Sequence, residues 1–362
     1  MSEIKTSGEK KDDVFITDLT IHKVRHLKNI HIPLSEDERK HLILTGKNGS
    51  GKTSVLESLK NFIWDNLQSH HIVSGGPLYD AKVKEISVAF NDQDRFRKYI
   101  GSGHCLIAFY KARRQADMTI PKGLNKIAVK KQYKIDEYPG KEFIQYIVNL
   151  KAEKSFARDE NDQKTVKNIE EWFKIFEKSL KEIFEDPSLK LEFDRKNYNY
   201  KILQEGKDPF DFNTMADGYS AIIDVVTDLI LRMEKHKTKG YDIQGVVLID
   251  ELETHLHIAL QKKIFPFLTR FFPRIQFIVT THSPFILNSI DNTVIYDLEN
   301  KFIVSDLSGY SYDGIVEGFF DNDKYSELIK NKIEIYEQLL NQEKRTEAEE
   351  EQMRDLRMYL KD

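Results

Sequence analysis

The sequence predicts an α/β fold built around a phosphate-binding loop, with a mainly helical insertion and a C-terminal helical tail. Three stretches carry this prediction. Gly46-Lys47-Asn48-Gly49-Ser50-Gly51-Lys52-Thr53 has the spacing G-x-x-x-x-G-K-[ST]. It lies between an apolar run, His41 to Thr45, and a segment with Val55, Leu56, Leu59, Phe62 and Ile63 at helical spacing. Strand, loop and helix in that order are the context the motif requires. Two later apolar runs, 246–249 and 275–279, end respectively in Asp250-Glu251 and Thr280-Thr281-His282-Ser283. Such runs read as buried parallel strands, and open α/β sheets bind ligands at the carboxyl ends of their strands.

The remaining elements follow in chain order. Residues 1–13 are polar and charged and read as a leader, not a signal peptide. Two strands are expected at 15–21 and 28–32, with Arg25, His26 and Leu27 between them, then a turn at 35–39. Gly75-Gly76 marks a loop after the first helix. Strands are expected at 86–90 and 105–110. From 141 to 184 the spacing is helical. Phe143, Tyr146, Ile147 and Leu150 form one stripe, and Ile169, Trp172, Phe173, Phe176, Leu180 and Ile183 another, across a polar connection at 157–168. No heptad pattern is sustained, so this is an insertion packed on the main domain and not a long coiled coil. Residues 189–203 alternate and predict two strands, followed by a turn at Asp208-Pro209. A long helix runs to Glu234, with Asp217 expected as its N-cap and Gly218 at its start. The tail, 325–360, reads as two charged helices with Leu339, Leu340, Met353, Leu356 and Leu360 as apolar points. The expected boundaries are 14–120 and 209–310 for the two parts of the nucleotide-binding core, 121–208 for the insertion and 311–362 for the tail.

Composition narrows the class. The chain has 362 residues, 40% hydrophobic and 31% charged, with a net charge of -4, as expected of a globular protein. Cys105 is the single cysteine, which rules out an intramolecular disulfide or a Cys-based metal site and suits the reducing cytoplasm. No apolar run approaches the roughly 18 residues of a spanning helix, so no membrane partner is expected. Charge is unevenly spread. Residues 95–134 carry eleven Lys and Arg against Asp117 alone, a local balance of +10. Either neighbours in space balance this charge, or it is a contact surface for the phosphates of double-stranded DNA.

Each candidate site residue has a chemical reason. Glycines at 46, 49 and 51 let backbone N–H groups turn toward phosphate oxygens, with Lys47, Asn48, Ser50 and Ser54 completing the loop. Lys52 would reach the β- and γ-phosphates of ATP, and Thr53 would offer its hydroxyl to Mg²⁺. Asp250 would hold Mg²⁺, directly or through water. Glu251 would act on the attacking water as general base or orienter. His282, at a strand end, suits a γ-phosphate sensor. The start of the helix at Asp217 and Gly218 is a further anion-binding end. Glu253 to His257 includes His-x-His, which invites a metal reading but lacks further ligands nearby. A loop facing an opposing nucleotide site fits better.

Together these motifs resemble ATP-binding-cassette (ABC) ATPases of the RecF/SMC/OLD type over about residues 14–310. Gly46 to Thr53 matches Walker A, Met215-Ala216-Asp217-Gly218 stands where that group has its signature motif, and Val246 to Glu251 matches Walker B. Glu253 to His257 is similar to the D-loop, and Thr281-His282-Ser283-Pro284 to the switch histidine. The resemblance implies a head-to-head homodimer around two ATP molecules, alone or within a higher oligomer, in which the signature segment of one copy closes over the ATP of the other. The chain departs from the pattern at Ala216, where the group has a serine. A methyl group cannot donate to a γ-phosphate, and losing one charge-assisted hydrogen bond costs about 1.5–3 kcal/mol. Slow hydrolysis is therefore expected. The group's Mg²⁺-sensing glutamine has two candidates, Gln93 and Gln115.

No Toprim or HNH nuclease signature is present, so a nuclease effector would be a separate polypeptide. In this the chain resembles the ATPase subunits of anti-phage modules of the Septu and retron-associated kinds, which work with an HNH-type partner. The tail helices would be the docking surface for that effector or would pack on their own domain. The expected function is a slow regulatory ATPase in phage defence. The alternatives are a DNA-binding ATPase of repair or maintenance, and a scaffold that binds ATP without hydrolysing it.

Overall fold

The computed structural model describes residues 13–65, 85–235, 243–304, 307–318, 327–342 and 345–359. Residues 1–308 form one compact unit and 309–362 a second.

The first unit is organised by a six-stranded sheet. Its strands are β3 (His41–Thr45), β5 (Cys105–Tyr110), β9 (Gln244–Ile249), β10 (Ile275–Thr280), β11 (Thr293–Asp297) and β12 (Phe302–Val304), in the order β12-β11-β3-β10-β9-β5. All neighbours are parallel except β11 and β12. Every residue of β3, β9, β10 and β11 is buried, which is why the first three read as largely apolar runs without alternation. Each fully buried Leu, Ile or Phe contributes about 1.5–3 kcal/mol.

An antiparallel sheet, β2-β1-β4, lies beside it, with β1 at Ile16–Val24, β2 at Leu27–Pro33 and β4 at Ile86–Phe90. Two buried glutamines on the core strands fasten the chain entering this sheet. Gln276 Oε1 accepts the Ile16 N–H at 2.7 Å, and Gln244 Oε1 accepts the Val14 N–H at 2.9 Å. Helix α1 (Lys52–Ile63) follows the loop after β3 and buries Val55, Leu56, Leu59 and Ile63 in the core shared by both sheets. Together these layers make an α/β core around the phosphate loop. Helix α2 (Gln93–Ser102), capped by Asp92, was not anticipated, nor were β11 and β12. Gly75 and Gly76 lie outside the described residues.

After β5 the chain runs without helix or strand to a short 3-10 turn at Pro139–Glu142. The insertion is helix α3 (Phe143–Asp159), helix α4 (Gln163–Ile183) and a small sheet of β6 (Lys190–Asp194), β7 (Asn199–Leu203) and β8 (Phe210–Asp211). Its core is aromatic: Phe143 packs on Phe176 and Phe212 at centroid distances of 5.3 and 6.0 Å. The polar connection between α3 and α4 is shorter than the predicted 157–168, because Asp162 caps α4 through the Thr165 N–H. The turn placed at Asp208-Pro209 falls earlier, at Glu205-Gly206-Lys207, where Gly206 takes φ 74°.

Helix α5 (Asp217–Glu234) begins one residue earlier than expected, at the residue read as its cap. Ala216 is the N-cap, with extended backbone, and Asp217 is the first helical residue. The reason is conformational, since Asp217 already has helical geometry and its side chain caps nothing. Helix α6 (Ile258–Phe271) joins β9 to β10, and a one-turn helix α7 (Pro284–Leu287) follows β10. The second unit holds α8 (Tyr312–Gly318), α9 (Glu327–Leu340) and α10 (Glu347–Tyr359), with Leu339 and Leu356 buried. Leu360 lies outside the described residues. Among the described residues no helix is long and apolar enough to cross a membrane.

Candidate nucleotide site

The loop between β3 and α1 folds as its glycines require. Gly46, Gly49 and Gly51 have φ of 130°, 87° and 99°, the left-handed side that side chains disfavour. At Gly46 a Cβ would also lie 2.9 Å from Ser50 Oγ and 3.3 Å from the Glu299 backbone nitrogen. Lys52 is buried at the start of α1, and its ammonium donates to the carbonyls of Gly46 at 2.9 Å and Lys47 at 3.1 Å. Burial pulls its pKa below the ordinary lysine value, while Glu251, Glu253 and Asp250 push it back up. The ammonium therefore sits inside the loop with carboxylates in its field. Thr53, one residue on, is exposed.

Two adjacent parallel strands, β9 and β10, deliver the other groups. β9 ends at Asp250, whose two carboxylate oxygens each lie 3.1 Å from Thr53 Oγ1. β10 ends at Thr280, which donates to Asp250 Oδ1 at 2.7 Å and accepts the Glu251 N–H at 2.7 Å. Thr53, Asp250 and Thr280 thus form a cluster of hard oxygen donors, the chemistry suited to Mg²⁺. Glu251 adopts φ 44°, and its Oε2 accepts from Thr254 Oγ1 at 3.1 Å.

His282 donates its backbone N–H to Glu253 Oε1. Its Nε2 and Glu253 Oε2 are buried polar atoms with no hydrogen-bond partner among the described residues. Burial first, and the Lys52 charge second, lower the His282 pKa, against the pull of Glu253, Glu251 and Asp250. The ring is therefore neutral at pH 7, one nitrogen donating and the other accepting. Two unpartnered atoms beside the loop, a glycine cradle and an oxygen cluster fit a phosphate group and its Mg²⁺.

The start of α5 differs. Ala216 and Asp217 are exposed, and among the described residues neither Asp217 nor Gly218 hydrogen-bonds to the phosphate loop. Gly218 has a steric reason of its own, because a Cβ there would lie 2.9 Å from the His255 carbonyl oxygen. The helix start is thereby set against the loop after β9. In that loop His255 takes φ 68° and His257 caps α6, its Nδ1 accepting the Ala259 N–H. Both candidate glutamines are exposed, Gln93 in the first turn of α2 and Gln115 in the chain beyond β5.

Two residues at the site carried no sequence signal of their own. Glu299, beyond β11, accepts the Lys47 N–H at 3.0 Å and pairs with its ammonium at 3.2 Å. Arg114 was counted in the basic stretch as a DNA-contact candidate. It is buried instead, against the turn that carries Glu251.

Comparison with known proteins gives the following likenesses. Residues 112–288 match the family described as AAA domain, putative AbiEii toxin, Type IV TA system. The chain is 24% identical over 328 residues to Septu protein PtuA of Bacillus mycoides (strain KBAB4), across 84% of this chain and 44% of the relative. It is 32% identical over 154 residues to the Retron Ec83 probable ATPase of Escherichia coli, across 39% of this chain and 27% of the relative. The chain thus spans less than half the length of either. Among solved structures, an Smc head domain from Pyrococcus furiosus, bound to the C-terminal domain of ScpA, superposes with a TM-score of 0.42 at 15% identity. It covers 80% of this chain and 95% of that one. The likeness to Septu protein PtuA extends over most of the chain, and that to the retron probable ATPase over 39% of it.

Proposed function

We propose that the chain is a slow, Mg²⁺-dependent ATPase that dimerises around ATP and controls a separate effector, a nuclease of the HNH type, in defence against phage. One observation carries the activity. Lys52, Thr53, Asp250, Glu251 and His282 converge at the ends of the neighbouring strands β3, β9 and β10. The names of the Septu and retron relatives support the defence setting.

In this reading Lys52 leaves the loop carbonyls for the β- and γ-phosphates. Glu251 accepts a proton from the attacking water as its oxygen bonds to the γ-phosphorus and the bond to the leaving oxygen breaks. Neutral His282 holds the γ-phosphate by a hydrogen bond. Mg²⁺, held by Thr53 and Asp250, would supply charge neutralisation on the phosphates. Asp217 and Gly218 at the start of α5 would face the nucleotide of a second copy. Ala216 supplies the reason for slow turnover. The tail helices are the proposed docking surface for the effector.

A second reading has one observation behind it. Lys122, Lys126 and Lys131 are exposed on the irregular chain after β5, as a contact with duplex DNA would need.

Glu251→Gln tests both. The variant should bind ATP, lose turnover by about 100-fold or more, and run as a dimer in ATP on light scattering. A variant that turns over like wild type, or stays monomeric in ATP, would sink the dimeric ATPase. If the trapped dimer also retains duplex DNA with a steep salt dependence, the DNA-binding reading gains. If it retains none, that reading is lost.

A further inference from the structure

Arg114 is only 6% exposed although it belongs to the most cationic stretch of the chain. Burying a guanidinium is costly unless its donors are satisfied. Among the described residues it has no carboxylate at ion-pair distance. Its donors go to carbonyls: Lys111 at 2.9 Å, Asp250 at 2.6 Å, Glu251 at 3.0 Å and Leu252 at 3.2 Å. The last three are consecutive and form the turn that presents Glu251.

That turn is held only in part by its own hydrogen bonds, from the Thr254 N–H to the Glu251 carbonyl at 3.0 Å and from Thr254 Oγ1 to Glu251 Oε2 at 3.1 Å. Glu251 sits at φ 44°, a region that residues other than glycine occupy only when their surroundings enforce it. One edge is fixed by β10, where Thr280 takes the Glu251 N–H through its hydroxyl and the Leu252 N–H through its carbonyl. The other edge has the Arg114 guanidinium. Beyond Arg114 the chain is fastened to the region of α5. The Ala116 N–H donates to Ser220 Oγ at 2.8 Å, and Met118 exchanges two hydrogen bonds of 2.8 Å with the Asn213 side chain. Ser220 lies in the first turn of α5.

We propose that Arg114 is a positioning residue for Glu251, and that its anchorage on Ser220 and Asn213 ties the shape of the Glu251 turn to the placement of helix α5. The proposal rests on Glu251 acting on the attacking water. Without the guanidinium, three carbonyls lose their common partner, that of Glu251 keeping only the Thr254 N–H, and the turn is free to leave the left-handed conformation. Arg114 touches only the carbonyl of Asp250, whose carboxylate is held separately by Thr53 and Thr280, and it does not touch Lys52, so ATP affinity stays as it was.

The test uses the full chain, with turnover and ATP affinity measured separately. Arg114→Met should lower kcat by about 100-fold, the scale of a misplaced catalytic group, with the Kd for ATP unchanged. Arg114→Lys, which keeps one charged donor, should fall between it and wild type. In a Glu251→Gln background, Arg114→Met should cost nothing more in single-turnover rate, because the group it positions is gone. Ser220→Ala, which leaves the guanidinium in place, should lower kcat several-fold at constant affinity and serves even if Arg114→Met fails to fold. An unchanged kcat in Arg114→Met, an equal loss in both backgrounds, or an unchanged kcat in Ser220→Ala would overturn the proposal alone. A wild-type chain that binds ATP without hydrolysing it would overturn the ATPase reading and this proposal with it.

Discussion

The two ends of the molecule that would meet a nucleotide are built differently. At the phosphate loop Lys47, Lys52 and Thr53 are already partnered within the chain, while the buried Ser50 Oγ has no partner among the described residues. Lys52 is held by two carbonyls, and Thr53 and Thr280 both bond Asp250. At the start of α5 the N-cap is Ala216, whose side chain accepts nothing. Helices α2, α4 and α6 each have a side-chain cap, from Asp92, Asp162 and His257. The first end is pre-organised by its own sheet. The second is an exposed helix start placed by backbone packing, with Gly218 against His255. Such a difference is what the proposed dimer requires, with one half of the site from each copy, one ready and one waiting.

The sharpest way to break this comparison is Gly218→Ala. The added Cβ would sit 2.9 Å from a backbone oxygen, so the start of α5 or the loop after β9 must shift. Turnover should fall by about 100-fold while ATP affinity, set by the other end, stays put. Loss of affinity instead would mean that the two ends are not separable.

Ala216→Ser is the milder test and runs in the opposite direction. A serine N-cap stabilises a helix by about 1 kcal/mol, so the melting temperature should rise. If the same hydroxyl also reaches a γ-phosphate across the dimer, turnover should rise about tenfold, near the lower bound for a charge-assisted bond. A higher melting temperature with unchanged turnover would remove Ala216 as the cause of slow hydrolysis.

The sequence made the first end legible and the second only partly so. Walker A and the strand ends declare themselves because glycines, a lysine and carboxylates are needed at fixed spacing after buried apolar runs. Strands β3, β9 and β10 were visible for the same reason. Asp217 was misread as a cap because capping depends on φ and ψ, which residue type constrains weakly at a helix start. Arg114 was hidden by its neighbours: among eleven cations in forty residues, nothing local separates the one that folds inward. Its partners are carbonyls, which every residue has and no pattern marks. Glu299 was missed because it reaches the loop from 252 residues away.

The two regions also carry opposite responses to acid, and this gives the smallest effect. His41, on the strand that leads into the phosphate loop, is 5% exposed, and its Nδ1 accepts the Phe277 N–H at 3.0 Å. Burial, then the charges of Arg39 and Lys40, lower its pKa from 6.5 to about 3. The unfolded chain therefore binds the proton more readily. The stability is whole above pH 6.5 and falls below it by about 1.4 kcal/mol per pH unit, or about 2 kcal/mol by pH 5. Asp224, on α5, has its pKa raised from 3.8 to about 7 by burial and then by Asp228, against Tyr138 and Arg114. Here the folded chain binds the proton more readily, so stability is whole below pH 3.8 and is lost as pH rises toward 7. Between pH 7 and pH 5 the two slopes oppose, and in the wild type they largely cancel. His41→Asn, which keeps an acceptor for the Phe277 N–H, should unmask Asp224 and gain about 2 kcal/mol on moving from pH 7 to pH 5, relative to wild type. Asp224→Asn should unmask His41 and lose about as much. Denaturant unfolding of both variants across that range checks the divergence, and parallel profiles would show that neither group titrates as its burial demands.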